Sequence, residues 1–278
     1  MHDEFAVPRP IGCRFGILGE LRLLTPTAQP VAVRGRNVSA FLGVLLANPN
    51  TVISVDRLID IIWNGNPPAR AREGVHVQAG RVRETIETAG LARGDLTSEN
   101  GGYRLEIDPE SVDWVRFERA VRIGHNKFRA GSLDGAVTTL SHALSLWRGT
   151  PLAGISDSDE IQAFSTTMTE LYLSARETRI ECMTELGMDR EIVCEATSLV
   201  REHPYREDLY RYLMIALYRC RRRTDALIVY RDLQTLLRTE LGIDPDPMVT
   251  DVFQCILDQS PIPPGTRIGL PERQIYAV

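Results

Sequence analysis

The feature that most constrains this chain is a change of pattern at Val112. Before it, short runs with strand character are interleaved with three helical stretches; beyond it only helical periodicity remains. That switch predicts two domains in series, and 278 residues are enough for each to bury its own core. The expected division is a flexible N-terminus over 1–13, a first domain over 14–110, a helical domain over 111–258 and a proline-rich tail over 259–278.

The first half has a definite order. Between Arg14 and Val33 the runs RFGIL, LRLL and VAV suggest a small antiparallel sheet, with the pairing left open by their brevity. A helix follows in RNVSAFLGVLLANPN: Val38, Phe41, Leu42, Leu45 and Leu46 recur at helical spacing, and Asn48-Pro49 stops them. A second begins at Ser54, a good N-cap, with Val55, Leu58, Ile59, Ile62 and Trp63 in the same rhythm, and ends in NGNPP. The third runs over Ala69–Ala89, entered from Pro67-Pro68. Then LTSENGGYRLEI reads as a β-hairpin turning at Asn100-Gly101. Strands, three helices and a hairpin are the order of a winged helix-turn-helix, whose third helix is expected in the major groove.

Projected at the helical period, Ala69–Ala89 places Val75, Ala79, Val82 and Ile86 on one narrow stripe. His76, Gly80 and Glu84 face away, Arg81 lies on the outer side, and Arg72 and Arg83 flank the stripe. An ordinary solvated amphipathic helix has the same look, so the reading as a recognition helix rests on its neighbours.

The second half is a series of helices, divided by short breaks such as Ala130-Gly131, Leu186-Gly187 and Arg221–Arg223. Two pairs, starting near Thr169 and Asp208, are offset by about the 34-residue tetratricopeptide period. A similar pair between Trp114 and Trp147 is separated from them by an insert of 20 residues, LAGISDSDEIQAFSTTMTEL.

The net charge of -5 argues against a generally basic nucleic-acid coat. Charge is uneven, however: seven Arg stand against three acids between Arg34 and Arg83, so a local basic surface can exist within an acidic whole. The five cysteines form no CxxC pair and have no His at metal-ligand spacing; they read as buried thiols of a reducing compartment. No apolar run approaches membrane-spanning length and the N-terminus is not signal-like, which points to a cytoplasmic protein without a membrane partner.

Several segments, in order and spacing, resemble the Streptomyces antibiotic regulatory protein family over about Phe15 to Leu257: FGILGELRL, VISVDRLIDIIW, PPARAREGVHVQAGRVRE, GGYRLEIDPESVDWVRFE, ALSLWRGTPL, EHPYREDLYRYLMIALYRCRRRTDALIVYRDL and LGIDPDP. The resemblance implies a mostly α protein with small β content. An OmpR-type winged helix-turn-helix would be followed by an all-α, tetratricopeptide-like bacterial transcriptional activation domain. It also implies binding of direct repeats in double-stranded promoter DNA by two or more protomers, recruitment of RNA polymerase holoenzyme, and activation of a secondary-metabolite (antibiotic) gene cluster. The chain lacks a GxxxxGK[ST] loop, so it resembles the small two-domain members. It departs from related third helices at Gly80, where Ser or Thr is common; the glycine costs up to about 1 kcal/mol of helix propensity against Ala.

The DNA-contact candidates follow. Arg81 and Arg83 come first, since a guanidinium can pair with guanine O6/N7 or clamp a phosphate. Arg70 and Arg72, at the helix start, offer the same chemistry in a less certain direction. His76 either touches a base or phosphate or stands by; Gln78 either bonds adenine or covers the core edge. At the wing, Asn100 serves the turn or the DNA, Tyr103 packs inward or outward, and Arg104 faces phosphate from the other side of the strand. Arg36 can donate to phosphate beside the first helix's N-terminus. Trp63, Trp114 and Trp147 read as core anchors, His203–Arg206 as an inter-repeat corner, and Arg219–Arg223 as a solvated loop.

These residues favour a sequence-specific DNA-binding activator. The alternative of another class is a tetratricopeptide adaptor whose winged helix binds protein. An enzyme is not expected: no nucleophile elbow, metal constellation or phosphate loop is present, and no cofactor is implied.

Overall fold

The computed structural model describes residues 14–260 and Ile262; the expected flexible N-terminus over 1–13, with Cys13, and most of the proline-rich tail lie outside the described residues. The chain forms two compact units, one comprising residues through 126 together with 138–175, the other 127–137 together with 176 onward.

In the first unit, β1 (Phe15–Gly16), β2 (Arg22–Leu24) and β3 (Pro30–Val31) pair antiparallel in that order, with Phe15 opposite Leu23 and Leu23 opposite Val31. Then come α1 (Arg36–Ala47), α2 (Val55–Trp63) and α3 (Ala71–Thr88). The Ser54 hydroxyl caps α2 by accepting from the Arg57 amide at 3.2 Å, and Asn64, in the left-handed region, ends it. Strands β5 (Leu96–Glu99) and β6 (Gly102–Leu105) make the expected hairpin. Asn100 and Gly101 both have positive φ, 51° and 73°, as a tight two-residue turn requires. A strand the sequence reading missed, β4 (Ile53–Ser54), pairs with β6 and gives the sheet order β4-β6-β5. Two residues leading straight into a helix cap carry no alternation to detect.

The 20-residue insert turns out to be part of this core. α1 is buried over Ala40–Leu46, not on one stripe only, because Leu152 and Ile155 cover its remaining side. A Cβ on Gly43 would lie 3.1 Å from both. Polar bonds fix the same segment: Ser156 Oγ donates to the Ile61 carbonyl at 2.8 Å, and Arg57 forks onto Glu160 at 2.6 and 2.7 Å. The second half of the insert is helical, since α6 runs over Asp159–Glu185.

The helices α4 (Asp113–Arg129) and α5 (Leu133–Leu144) precede that insert. At the start of α4, Asp113 is buried and accepts from the amides of Ile17 (2.8 Å) and Leu18 (3.1 Å) and from Arg148 (3.0 Å). Burial raises its carboxyl above the ordinary range, while those three donors pull it back. The tryptophans anchor as expected: Trp114 donates to the Leu46 carbonyl at 2.8 Å, and Trp147 stacks on Tyr172 at 4.2 Å.

The second unit holds α7 (Asp189–Glu202), α8 (Glu207–Arg219), α9 (Arg223–Glu240) and α10 (Pro247–Leu257). α7 and α9 start 34 positions apart, at the repeat period. α8 packs against α7, α9 and α10 and is buried from Leu209 to Leu217, Arg211 included; that guanidinium lies 4.5 Å over the Tyr212 ring. The Arg219–Arg223 run is a turn at 220–222, exposed at Arg221 and Arg222 as expected, but its flanking arginines belong to α8 and α9 and have partners. Arg219 donates to the Thr184 carbonyl, Arg222 pairs with Asp225, and Arg223 bonds the carbonyls of Ile256 and Leu257. Of the described cysteines, only Cys182 is buried, its thiol pushed up to about 12; Cys194 is exposed and Cys220 and Cys255 are half-buried. Buried thiols throughout were therefore the wrong expectation, because Cys194 and Cys255 fall on helix faces that meet solvent and Cys220 lies at the end of α8.

Two glycines make opposite predictions. A Cβ on Gly102 would lie 2.4 Å from the Ile53 carbonyl oxygen, so Gly102→Ala must part β4 from β6 and should cost about 1–3 kcal/mol. A Cβ on Gly80 meets nothing within 4 Å inside a regular helix, so Gly80→Ala should gain up to about 1 kcal/mol. Urea unfolding of the two variants checks both signs.

Candidate nucleic-acid interface

The stripe predicted for α3 is the buried one: Val75, Ala79, Val82 and Ile86 are all inaccessible to solvent. They pack on α1 and α2, which fixes the rotation of the helix about its own axis and therefore what its other side offers. On that other side stand Glu73, His76, Val77, Arg81 and Glu84, all exposed.

Arg81 is exposed, and its guanidinium has no hydrogen-bond or ion-pair partner among the described residues. Val77, one turn earlier, is 56% exposed. The sequence reading passed it over, although an apolar residue on the polar side of the projection was the available signal. A branched apolar group beside a free guanidinium suits a base edge, where a thymine methyl and a guanine O6/N7 pair are the complementary features.

Arg70 and Arg72 are also exposed, in ion pairs with Glu73 (3.8 Å) and Asp56. Exposed pairs of this kind are worth about 0–1 kcal/mol, so a phosphate can replace the carboxylate at little cost. Arg36 donates to the Ile155 carbonyl at 3.1 Å and lies 3.6 Å from Asp157.

Four candidates have inward roles. Arg83 is half-buried, donates through Nε and Nη2 to the Leu96 carbonyl (3.3 and 3.1 Å), and lies 5.9 Å over the Tyr103 ring. It ties α3 to the hairpin rather than reaching outward. Arg104 sits between Glu99 and Glu106, at 2.9 and 2.6 Å. Gln78 is buried and covers the core edge. Tyr103 is 3% exposed and packs edge-on to Phe41 at 5.3 Å; of the two readings of this residue, the inward one describes it. Burial raises its phenol above the ordinary value, against the opposing pulls of the Arg83 charge and the Ser98 hydroxyl. Its hydroxyl meets His76 Nδ1 at 2.6 Å. Asn100 is exposed at the hairpin tip, held in the left-handed conformation that the turn demands.

A helix held from behind by a hydrophobic stripe and from the side by a wing, followed by helical repeats, defines a winged-helix transcriptional regulator. Residues 112–257 match the bacterial transcriptional activator domain family. The chain is 34% identical over 249 residues to the transcriptional regulatory protein EmbR of Mycobacterium tuberculosis, covering 89% of this chain and 64% of that one. It is 32% identical over 241 residues to the regulatory protein DnrI of Streptomyces peucetius, covering 84% and 88%. The solved structure of Mycobacterium tuberculosis EmbR in complex with a low-affinity phosphopeptide superposes with a TM-score of 0.82 at 33% identity, over 90% of this chain and 66% of that one. The chain belongs to the Streptomyces antibiotic regulatory protein family of transcriptional regulators. Its relatives are regulators rather than enzymes. Among the described residues no helix is long and apolar enough to cross a membrane.

The two central arginines should separate in a stability measurement. Arg83→Ala removes two bonds from a charged donor and is expected to cost about 1.5 kcal/mol. Arg81→Ala should stay within about 0.5 kcal/mol of the parent by the same urea titration.

Proposed function

We propose that this chain is a sequence-specific DNA-binding transcriptional activator that reads the major groove with the outward side of α3. The observation that carries the reading is the free Arg81 guanidinium one turn from exposed Val77, on a helix that also exposes His76 and whose opposite side is wholly buried. Arg81 and Val77 read bases; Arg70 and Arg72 exchange their exposed carboxylate partners for phosphates; Asn100 at the wing tip approaches the adjacent backbone. Arg83 and Tyr103 act behind this surface by holding the wing against the helix, while Arg104 braces the hairpin itself through Glu99 and Glu106. Arg36 lies beside the N-terminus of α1, where the Asp157 pair competes with a phosphate.

The functional division we propose is DNA binding by residues 14–110 and activation by 111–258. Two or more protomers sit on direct repeats near a promoter, in the same orientation, and the helical half recruits RNA polymerase holoenzyme. Membership of the Streptomyces antibiotic regulatory protein family favours a secondary-metabolite gene cluster as the target. Without the DNA role, the same outward side of α3 would be a protein-docking surface and the chain an adaptor.

The test is binding to a duplex that the full chain itself selects from a random pool, measured at two salt concentrations against scrambled competitor. Arg81→Ala should weaken specific binding by about 1–3 kcal/mol, roughly 5- to 150-fold, and lower the specificity ratio. Arg104→Ala should change it far less. Equal affinity of Arg81→Ala and parent would refute the groove assignment, and failure to select any duplex would favour the adaptor.

A further inference from the structure

The contact between Tyr103 and His76 has a consequence for what α3 presents. The phenol is buried, and its hydroxyl lies 2.6 Å from His76 Nδ1. Ser98 lies directly across the hairpin from Tyr103, and His76 Nδ1 is the hydrogen-bond partner that the phenolic oxygen meets. A neutral imidazole carries one N–H, so two arrangements are open. With the proton on Nδ1, the phenol accepts from His76, and its own O–H loses that nitrogen as its acceptor. An unmet buried donor of this kind is costly. With the phenol donating to Nδ1, the buried O–H is satisfied and the imidazole proton must sit on Nε2, at the far side of an exposed ring.

We propose that Tyr103 is a positioning residue that locks His76 in the Nε2–H tautomer, so that α3 presents a fixed hydrogen-bond donor to an acceptor on the DNA. The acceptor chemistry is a purine N7 or guanine O6, or else a phosphate oxygen. This rests on the reading of α3 as the recognition helix. Without the lock, the outward nitrogen would alternate between donor and acceptor and discriminate poorly between groove edges. The Arg83 guanidinium, over the same Tyr103 ring and bonded to Leu96, keeps the phenol in register with the helix.

The experiment is a long-range 1H–15N spectrum of the full chain labelled with 15N-histidine, above the pH at which imidazole titrates, with His76 assigned by its loss in His76→Gln. The expected pattern is a pyridine-type Nδ1 and a pyrrole-type Nε2, collapsing toward a tautomer average in Tyr103→Phe, which keeps the ring and its packing. A pyrrole-type Nδ1 in the parent, or an unchanged pattern in Tyr103→Phe, overturns the lock. On the selected duplex, Tyr103→Phe should bind at least about fivefold more weakly. His76→Gln, which keeps an amide donor, should bind better than His76→Leu. Equal binding by Tyr103→Phe overturns the positioning role. Substituting 7-deazapurines or methylphosphonates in the duplex distinguishes a base edge from a phosphate as the acceptor. If the parent selects no duplex, the DNA reading fails and takes this role with it, while the spectrum still decides the tautomer independently.

Discussion

Tyr103 is the point on which the winged helix closes. Its ring is buried against Phe41 of α1, its backbone lies on β6 opposite Ile53 of β4 and Ser98 of β5, its hydroxyl bonds His76 of α3, and its face lies under Arg83. One residue thus connects two helices and three strands. The hydrophobic stripe of α3 sets the rotation of that helix, but a stripe alone permits sliding along its length. The bonds from the wing remove that freedom, and the direction in which Arg81 and Val77 project depends on both. A side chain with an apolar body and a polar tip suits this place: the ring belongs to the core, and the hydroxyl reaches its edge.

Electrostatics divides the arginines of this region by solvent exposure. Arg70, Arg72 and Arg81 stand in water, two of them with carboxylates that a phosphate can displace. Arg83 and Arg104 are half-buried and engaged, one by a carbonyl, the other by Glu99 and Glu106. Removing the partner of a half-buried guanidinium is more costly than removing that of an exposed one, so the second pair stays with its protein partners. An acidic protein can therefore carry a basic patch made of few residues, provided those residues are the exposed ones.

Much of the architecture was legible in the sequence. The stripe Val75, Ala79, Val82 and Ile86, the Ser54 cap and the Asn100-Gly101 turn are local signals, and each appears in the structure where local chemistry puts it. What escaped was tertiary. The burial of α1 on all sides depends on Leu152 and Ile155, more than a hundred residues away, and no periodicity within the helix could report them. β4 exists because β6 lies beside it. In the candidate site, the outward position of Arg81 followed from the projection. The inward engagement of Arg83 did not, since it depends on where the Leu96 carbonyl lies. The partners of Arg219 and Arg223 escaped for the same reason: the carbonyls that hold them belong to other helices.

The central claim is that the outward side of α3 lies against DNA, and proximity tests it without relying on any change in affinity. A photo-crosslinking amino acid placed at Val77, on the exposed side of α3, should couple to the selected duplex on irradiation. The same group at Glu118, exposed on α4, should not. Efficient crosslinking from position 118 with none from position 77, in a chain that still binds the duplex, would contradict the account.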